Sequence, residues 1–172
     1  GKIVGIIDKN GGILDEKGLS HNKIIELLSS RTSNFLIDKE IMPFEVINQK
    51  IWSIGAEIFV PCAASRLVTL EHLNQMIAND LEVISSGANV PFDENEIFYG
   101  PICQRADEMV SVIPDFISNC GMARAFSYFM QENIDMQPKS VFQSVSETIK
   151  NALLESYQES NEKNNIYKTA LE

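Results

Sequence analysis

Val110–Phe129 reads VSVIPDFISNCGMARAFSYF. The run Met109–Ile113 has the length and β-branching of a short buried strand. Pro114-Asp115 breaks it. A polar loop follows, and a long apolar helix begins near Asn119. A strand that ends in a polar turn and feeds a helix is the unit of a parallel α/β sheet. Such sheets place ligands outside the carboxyl ends of their strands. The turn supplies Asp115, Ser118, Asn119 and backbone N–H groups. Asn119 has two readings: a side chain facing a ligand, or only the N-cap of the helix, a position Asn favours.

The same punctuation recurs upstream. Lys2–Asp8, KIVGIID, is a β-branched run ending abruptly in an acid, the pattern of a buried parallel strand. Turns follow at Asn10–Gly12 and at Asp15–Gly18. Ser20 caps a helix bearing Ile24, Ile25, Leu27 and Leu28. Thr32–Pro43 is irregular, and Glu45–Ile54 is a short helix whose Trp52 anchors the core. A second strand, Glu57–Val60, ends in Pro61-Cys62-Ala63-Ala64. Thr69 opens a helix with Leu70, Leu73, Met76 and Ile77 on one face. A third strand starts at Glu82–Ile84 and runs into Ser85–Asn89. Asp93–Asp107 is helix and loop, interrupted at Gly100-Pro101. Beyond the quoted stretch, Pro138-Lys139-Ser140 starts a helix with Val141, Val145, Ile149, Ala152 and Leu153 at helical spacing. Asn161–Asn165 is a polar linker, and Ile166–Glu172 opens a last helix. The alternation predicts one α/β domain over 1–172, a parallel sheet with helices on both faces.

The composition narrows the function classes. With 172 residues, 44% hydrophobic and 22% charged, the chain can bury one ordinary core. No apolar run is long enough to span a membrane, and no signal peptide opens the chain. A net charge of −10 argues against nucleic acid as partner. Cys62, Cys103 and Cys120 match no zinc spacing, and an odd count argues against a disulfide framework. The expected compartment is reducing and cytoplasmic. His21 and His72 lie far apart in the chain, so no metal site is expected.

In a parallel sheet all strands deliver their carboxyl ends to one edge. Here those ends are Asp8, Pro61–Ala64, Gly87–Asn89 and Pro114–Asn119, all small, polar or acidic. Ala63, Ala64, Gly87 and Ala88 let a flat ligand lie against backbone. Asp8 stands where a dinucleotide fold puts the acid that accepts hydrogen bonds from the adenosine ribose, which would repel a 2′-phosphate and favour NAD over NADP. Its other reading is a solvated turn residue at the start of DKNGG.

Four motifs then carry a family resemblance: KIVGIIDKNGGILDEKGL, IFVPCAAS, SGANVP and IPDFISNCGMA, in that order. They resemble the glutamate/leucine/phenylalanine/valine dehydrogenases, and the likeness runs from Lys2 to Glu172. It implies a Rossmann-like, NAD-binding domain, one part of a larger two-domain enzyme that converts an L-amino acid to a 2-oxo acid. By this resemblance Asp8 binds the adenosine ribose, and Pro61, Cys62 and Ala63 pass under the cofactor by their backbone. Gly87 and Ala88 lead to Asn89, which holds the nicotinamide side. Asn119 lies between nicotinamide and substrate. The partners implied are an amino-acid substrate and, in the full-length protein, further copies of the same chain.

The chain also departs from the family. It has no GxGxxG, so the first βα unit of the fold is expected to be lacking, which would leave two inner strand edges unpaired. The family's catalytic lysine and aspartate have no counterpart here and are expected in a separate N-terminal domain, so this chain alone should not turn over. Met122 replaces a family glycine. Counting without gaps from Asn119, Phe126 stands where glutamate enzymes carry a serine, and Ser127 is rotated by about 100° around the helix. Phe126 therefore suggests a pocket for an apolar side chain. Arg124 reads either as a partner for an acidic side chain or as a surface residue. The competing reading of the whole chain is a non-catalytic interaction or regulatory module descended from such a domain.

Overall fold

The structure, a computed structural model, describes residues 1–31, 33 and 35–172; Thr32 and Asn34, within the segment expected to be irregular, lie outside the described residues. The chain divides into two compact units, Gly1–Ala56 with Asn74–Asp80, and Glu57–Leu73 with Leu81–Glu172.

In the first unit, strand β1 (Gly5–Asp8) turns at Lys9-Asn10 and returns as β2 (Gly11–Leu14), pairing antiparallel with Gly5 opposite Leu14 and Asp8 opposite Gly11. A short β3 (Met42–Pro43) adds antiparallel to β2. The first strand is therefore half of a hairpin, not the parallel strand its composition suggests. Asp8 makes the reversal. Its Oδ1 accepts the N–H groups of Asn10 at 2.7 Å and Gly11 at 3.2 Å, an Asx turn that closes a two-residue loop. Its Oδ2 accepts the N–H of Leu36 at 2.6 Å. Gly12, expected in the turn, lies in β2, where a Cβ would stand 2.3 Å from the carbonyl oxygen of Ile6. Glycine is needed there for close strand approach.

Helix α1 (His21–Ser29) opens as the sequence predicts, with Ser20 Oγ accepting the Lys23 N–H at 3.1 Å. Its Leu27 packs with Ile13 and Leu36 to form the core of the unit, flanked by Ile6, Leu19 and Ile41. The expected Glu45–Ile54 helix is split into α2 (Phe44–Ile47) and a 3₁₀ turn at Ile51–Ser53. Trp52 is only partly buried, its indole N–H donating to Asn48 Oδ1 at 3.2 Å. A buried indole would need that partner inside. The anchor is Ile47, which is fully buried.

The second unit carries the parallel sheet that the sequence predicts: β4 (Ile58–Phe59), β5 (Val83–Ser85) and β6 (Ser111–Ile113), in that spatial order. Phe59 faces Ile84 in the ladder, and Ile84 faces Val112. Ile84 and Val112 have no exposed surface, and burial of each side chain contributes about 1.5–3 kcal/mol. Helix α3 (Leu70–Ile77) begins in this unit behind a reciprocal cap: Thr69 Oγ1 accepts the His72 N–H at 3.2 Å, and His72 Nδ1 accepts the Thr69 N–H at 3.4 Å. Then come α4 (Pro101–Met109), α5 (Asp115–Ser118), α6 (Gly121–Phe129), α7 (Pro138–Glu159) and α8 (Ile166–Leu171). Pro101 and Pro138 occupy first-turn positions, where the missing N–H costs nothing. The polar loop expected after Ile113 is the helical turn α5. Asn119 closes it, its N–H bonded to the Asp115 carbonyl at 2.7 Å, and α6 starts only after Cys120. Asn119 is therefore not a helix N-cap.

Two helices are capped by remote carboxylates. Glu94 Oε2 accepts the N–H groups of Ile102 (2.6 Å) and Cys103 (3.4 Å) at the start of α4, where the N-cap is Gly100. Asp107, fully buried, accepts the N–H groups of Tyr167 (2.9 Å) and Lys168 (3.0 Å) at the start of α8. Burial pushes both carboxyls above their ordinary values, and the backbone N–H groups offset only part of the rise. Burial likewise pushes the Tyr99 hydroxyl up to about 12, with the Asp107 charge as the next cause. A raised carboxyl means that the folded chain holds a proton the unfolded chain has lost. Stability from these two groups is present below their unfolded values, 4.5 for Glu94 and 3.8 for Asp107, and is lost as pH rises through the raised ones. Asp38, bonded to Lys23, and Asp135, bonded to Ser140, are lowered and act in the opposite sense below the usual carboxylate range. The thermal midpoint is therefore expected to rise as the pH is lowered toward these unfolded values and to fall once it drops below them. Scanning calorimetry would refute this if the midpoint fell steadily from pH 7 downward.

Candidate functional site at the strand tips

The loops beyond β4, β5 and β6 leave the same edge of the parallel sheet. The first two are joined by backbone. Arg66 N–H donates to the Val90 carbonyl (2.8 Å), Leu67 and Val68 donate to that of Pro91 (3.1 and 3.0 Å), and Asp93 donates to that of Val68 (2.9 Å). The Arg66 guanidinium adds bonds to the carbonyls of Glu94 (2.8 Å) and Asn95 (3.3 Å). The third loop is joined to the second by side chains. Ser118 Oγ donates to the Ser86 carbonyl at 2.7 Å, and Asp115 Oδ2 accepts the Val90 N–H at 2.9 Å.

The outermost of these links is between two amides: Asn119 Nδ2 donates to Asn89 Oδ1 at 2.7 Å. Both residues are exposed. Each amide has a donor side and an acceptor side. The bond uses one donor of Asn119 and the oxygen of Asn89. Among the described residues, the Nδ2 donors of Asn89 and the Oδ1 acceptor of Asn119 have no other hydrogen-bond partner. Beside this pair, Val90 holds a φ of +46°. For a β-branched residue such backbone is strained, at a cost of about 1–3 kcal/mol that surrounding bonds must offset.

The other residues singled out from sequence are placed as follows. Pro61 and Ala88 are buried, Cys62 and Ala63 are exposed, and Gly87 is half-buried. Asp8 lies in the other unit, at the hairpin corner. Phe126 is 63% exposed on α6, one helical turn beyond Met122, which is 68% exposed. Arg124 is half-buried and lies against α7, its Nε donating to Ser144 Oγ at 3.1 Å. Cys62, Cys103 and Cys120 are free thiols. Among the described residues no cluster of three or more His, Cys, Asp or Glu is placed to hold a metal ion. Nor is any helix among them long and apolar enough to cross a membrane.

Ser86 and Val90 stand in the SGANVP motif, but the sequence assigns neither a role. The Ser86 side chain is fully buried, and its Oγ has no hydrogen-bond partner among the described residues. A left-handed valine has no sequence signal, because valine is the residue type least expected there. Gly87 has a signal with an unexpected cause. A Cβ there would stand 2.4 Å from Cys62 Sγ, so the tips of β4 and β5 pack against each other at this glycine. Gly87→Ala is expected to destabilise by about 1–3 kcal/mol through overpacking. Cys62→Ala in the same background should restore most of the loss, since the next neighbours lie at 3.4 and 3.6 Å. Denaturant melts of the single and double variants test this, and additive losses would refute it.

The chain is 28% identical over 103 residues to the NADP-specific glutamate dehydrogenase of Escherichia coli, covering 56% of this chain. It is 24% identical over 168 residues to the NADP-specific glutamate dehydrogenase of a Psychrobacter species, covering 96% of this chain. It is 25% identical over 173 residues to the cryptic catabolic NAD-specific glutamate dehydrogenase of Bacillus subtilis, covering 98% of this chain. The chain spans 23% to 36% of the length of these three relatives. The fold is shared with a solved glutamate dehydrogenase of Plasmodium falciparum, at a TM-score of 0.70 and 17% identity, over 98% of this chain and 38% of that one. A second solved glutamate dehydrogenase gives 0.66 and 20%, over 99% of this chain and 39% of that one. A family model described as Glutamate/Leucine/Phenylalanine/Valine dehydrogenase matches residues 1–171, and by that match the chain belongs to this family.

Proposed function

We infer that this chain is the cofactor-binding domain of an NAD-dependent L-amino-acid dehydrogenase, and that Asn89 and Asn119 hold the nicotinamide end. The observation that carries this is the amide pair at 2.7 Å in a chain of this family. The pair fits the group: a carboxamide needs one donor and one acceptor side by side, and Asn89 Nδ2 with Asn119 Oδ1 offer both without adding charge. When bound, the cofactor supplies the hydride acceptor. The chain would orient it through these amides, and the backbone of Pro61, Cys62 and Ala63 would help to hold it. Gly87 and Ala88 carry the β5 tip to Asn89.

For Asp8 the proposal rests on the family likeness and on its charge alone, since its strand pairs antiparallel in a sheet separate from β4–β6. Beside the adenosine ribose a carboxylate would accept from hydroxyls and repel a 2′-phosphate, which favours NAD. Relatives include both NADP-specific and NAD-specific enzymes, so this choice belongs to the chain's own residues. The lysine and aspartate that act on the amino acid belong to a separate N-terminal domain, so the isolated chain is inactive and the full-length protein acts as a homo-oligomer. Exposed Phe126 and Met122 on one face of α6 support a substrate with an apolar side chain, beside Asn119.

Calorimetric titration of the full-length protein with NADH and with NADPH tests the proposal. Saturable NADH binding is expected, with NADPH weaker by at least about tenfold and Asp8→Ala narrowing the gap. Absence of NADH binding would overturn the reading, and tighter NADPH binding would overturn the choice of NAD. A kcat/KM higher for glutamate than for leucine would overturn the apolar pocket.

A further inference from the structure

We propose that Asp115 is the positioning residue of this site: it touches no ligand itself and sets the amide pair that does. The proposal rests on the cofactor reading above. Its basis is a closed ring of hydrogen bonds. Asp115 Oδ2 accepts the N–H of Val90, the residue directly after Asn89, at 2.9 Å. The Asp115 carbonyl accepts the N–H of Asn119 at 2.7 Å. The Asn119 side chain closes onto Asn89 at 2.7 Å. One residue thus grips both loops, by its carboxylate on one side and its backbone on the other. Its Oδ1 accepts the N–H of Phe116 at 3.0 Å, which fixes the rotamer that aims Oδ2 at Val90.

The grip matters because Val90 holds its φ of +46° against its own preference. Freed, it would relax to a negative φ and carry the Asn89 carbonyl and side chain away from Asn119. The Arg66 N–H holds the same peptide unit from the other side, through the Val90 carbonyl at 2.8 Å. That bond joins the β4 and β5 loops only. The β5 loop is joined to the loop of Asn119 by Ser118 Oγ on the Ser86 carbonyl, by the amide pair itself and, at Val90, by the Asp115 carboxylate, and a carboxylate holds an N–H more strongly than a neutral acceptor. Asp115 therefore sets where Asn89 Nδ2 and Asn119 Oδ1 stand relative to each other, the spacing a carboxamide would read.

The test compares binding of NADH with binding of ADP-ribose, which lacks the nicotinamide, in the full-length protein. Asp115→Ala is expected to weaken NADH about tenfold and to leave ADP-ribose unchanged. Asp115→Asn, which keeps an oxygen for Val90 but turns an NH₂ toward the Phe116 N–H, should show an intermediate loss. Equal weakening of both ligands, or of neither, overturns the proposal. Retained ADP-ribose binding is also the check on folding. Should the alanine variant not fold, Asp115→Glu, which keeps the charge and displaces the oxygen by one methylene, is expected to show the same selective loss. Asn119→Ala separates the two ideas. If it weakens NADH selectively and Asp115→Ala does not, the role of Asp115 falls and the cofactor reading stands. If Asn119→Ala leaves NADH binding intact, both fall.

Discussion

On the proposed cofactor reading, Asn119→Ala is expected to lower kcat/KM of the full-length protein about a hundredfold, with folding unaffected. Two things are lost together: the bond that fixes Asn89 Oδ1 and helps to join two of the strand-tip loops, and the acceptor Asn119 offers outward. Asn89 is exposed, so without its partner its amide turns freely. Hydride transfer depends steeply on the position of the nicotinamide ring, and a displacement of about 1 Å costs on the order of a hundredfold. Asn119→Asp is expected to be no better. It keeps the shape but sets a carboxylate oxygen where Nδ2 now donates, 2.7 Å from another oxygen. Because both residues lie at the surface, neither change should move the thermal midpoint by more than a degree or so, by the usual size of surface effects. Steady-state kinetics with calorimetry decide the matter. A loss below threefold, or a loss that merely follows unfolding, would remove Asn119 from the site.

Asp107→Ala is expected to cost about 3 kcal/mol and to act on the C-terminal helix first. The Asp107 carboxylate satisfies two N–H groups of α8 whose own N-cap, Asn165, makes no side-chain capping bond to the helix. Each buried donor left without a partner costs about 1–3 kcal/mol. The segment before α8 is held to the same place, by Asn165 N–H on the Asp107 carbonyl at 2.7 Å, by Asn164 Nδ2 on the Glu108 carbonyl at 2.9 Å, and by Ser111 Oγ on the Lys163 carbonyl. The ring of Tyr167, 3% exposed, packs against Tyr99 and Phe116 at centroid distances of 5.7 and 5.5 Å. Releasing α8 would expose it. For a chain of this length the loss is a drop of roughly 6–12 °C in the thermal midpoint. Asp107→Asn keeps one acceptor oxygen and points an NH₂ at the other N–H, so an intermediate loss is expected. Hydrogen exchange should show Tyr167 and Lys168 opening before the parallel sheet. A midpoint shift under about 2 °C would refute the capping role.

The parts of the fold that were legible are those governed by neighbours in sequence. Ser20 and Thr69 cap helices because their hydroxyls reach N–H groups three residues on. Pro138 starts a helix because a first-turn residue needs no N–H, and Pro101, which reads from sequence as an interruption, starts α4 for the same reason. The strands at Ile58, Val83 and Ser111, each followed by a polar turn and a helix, read as a parallel sheet and form one. KIVGIID was misread because a β-branched run states that a strand is buried but not which strand it pairs with. A local clue was present: Asp8 can fold Lys9-Asn10 into a hairpin loop through its own side chain. Glu94 and Asp107 had no such clue, since Asp107 caps a helix 60 residues away.

By itself the sequence determined an acidic α/β chain of the amino-acid dehydrogenase family, with asparagines at the tips of two of its strand-to-helix units. The acidity and the α/β class follow from composition, period and short-range hydrogen bonding, and the family from the likeness of four motifs, all of which lie along the chain. Tertiary structure alone decided that Asn89 and Asn119 meet, that Gly87 makes room for Cys62, and that Val90 stands in left-handed backbone under the hold of Asp115. Each of these is a contact between loops from different strands. Its energy depends on where the parallel register sets the strand ends, and no stretch of the chain taken alone contains both partners.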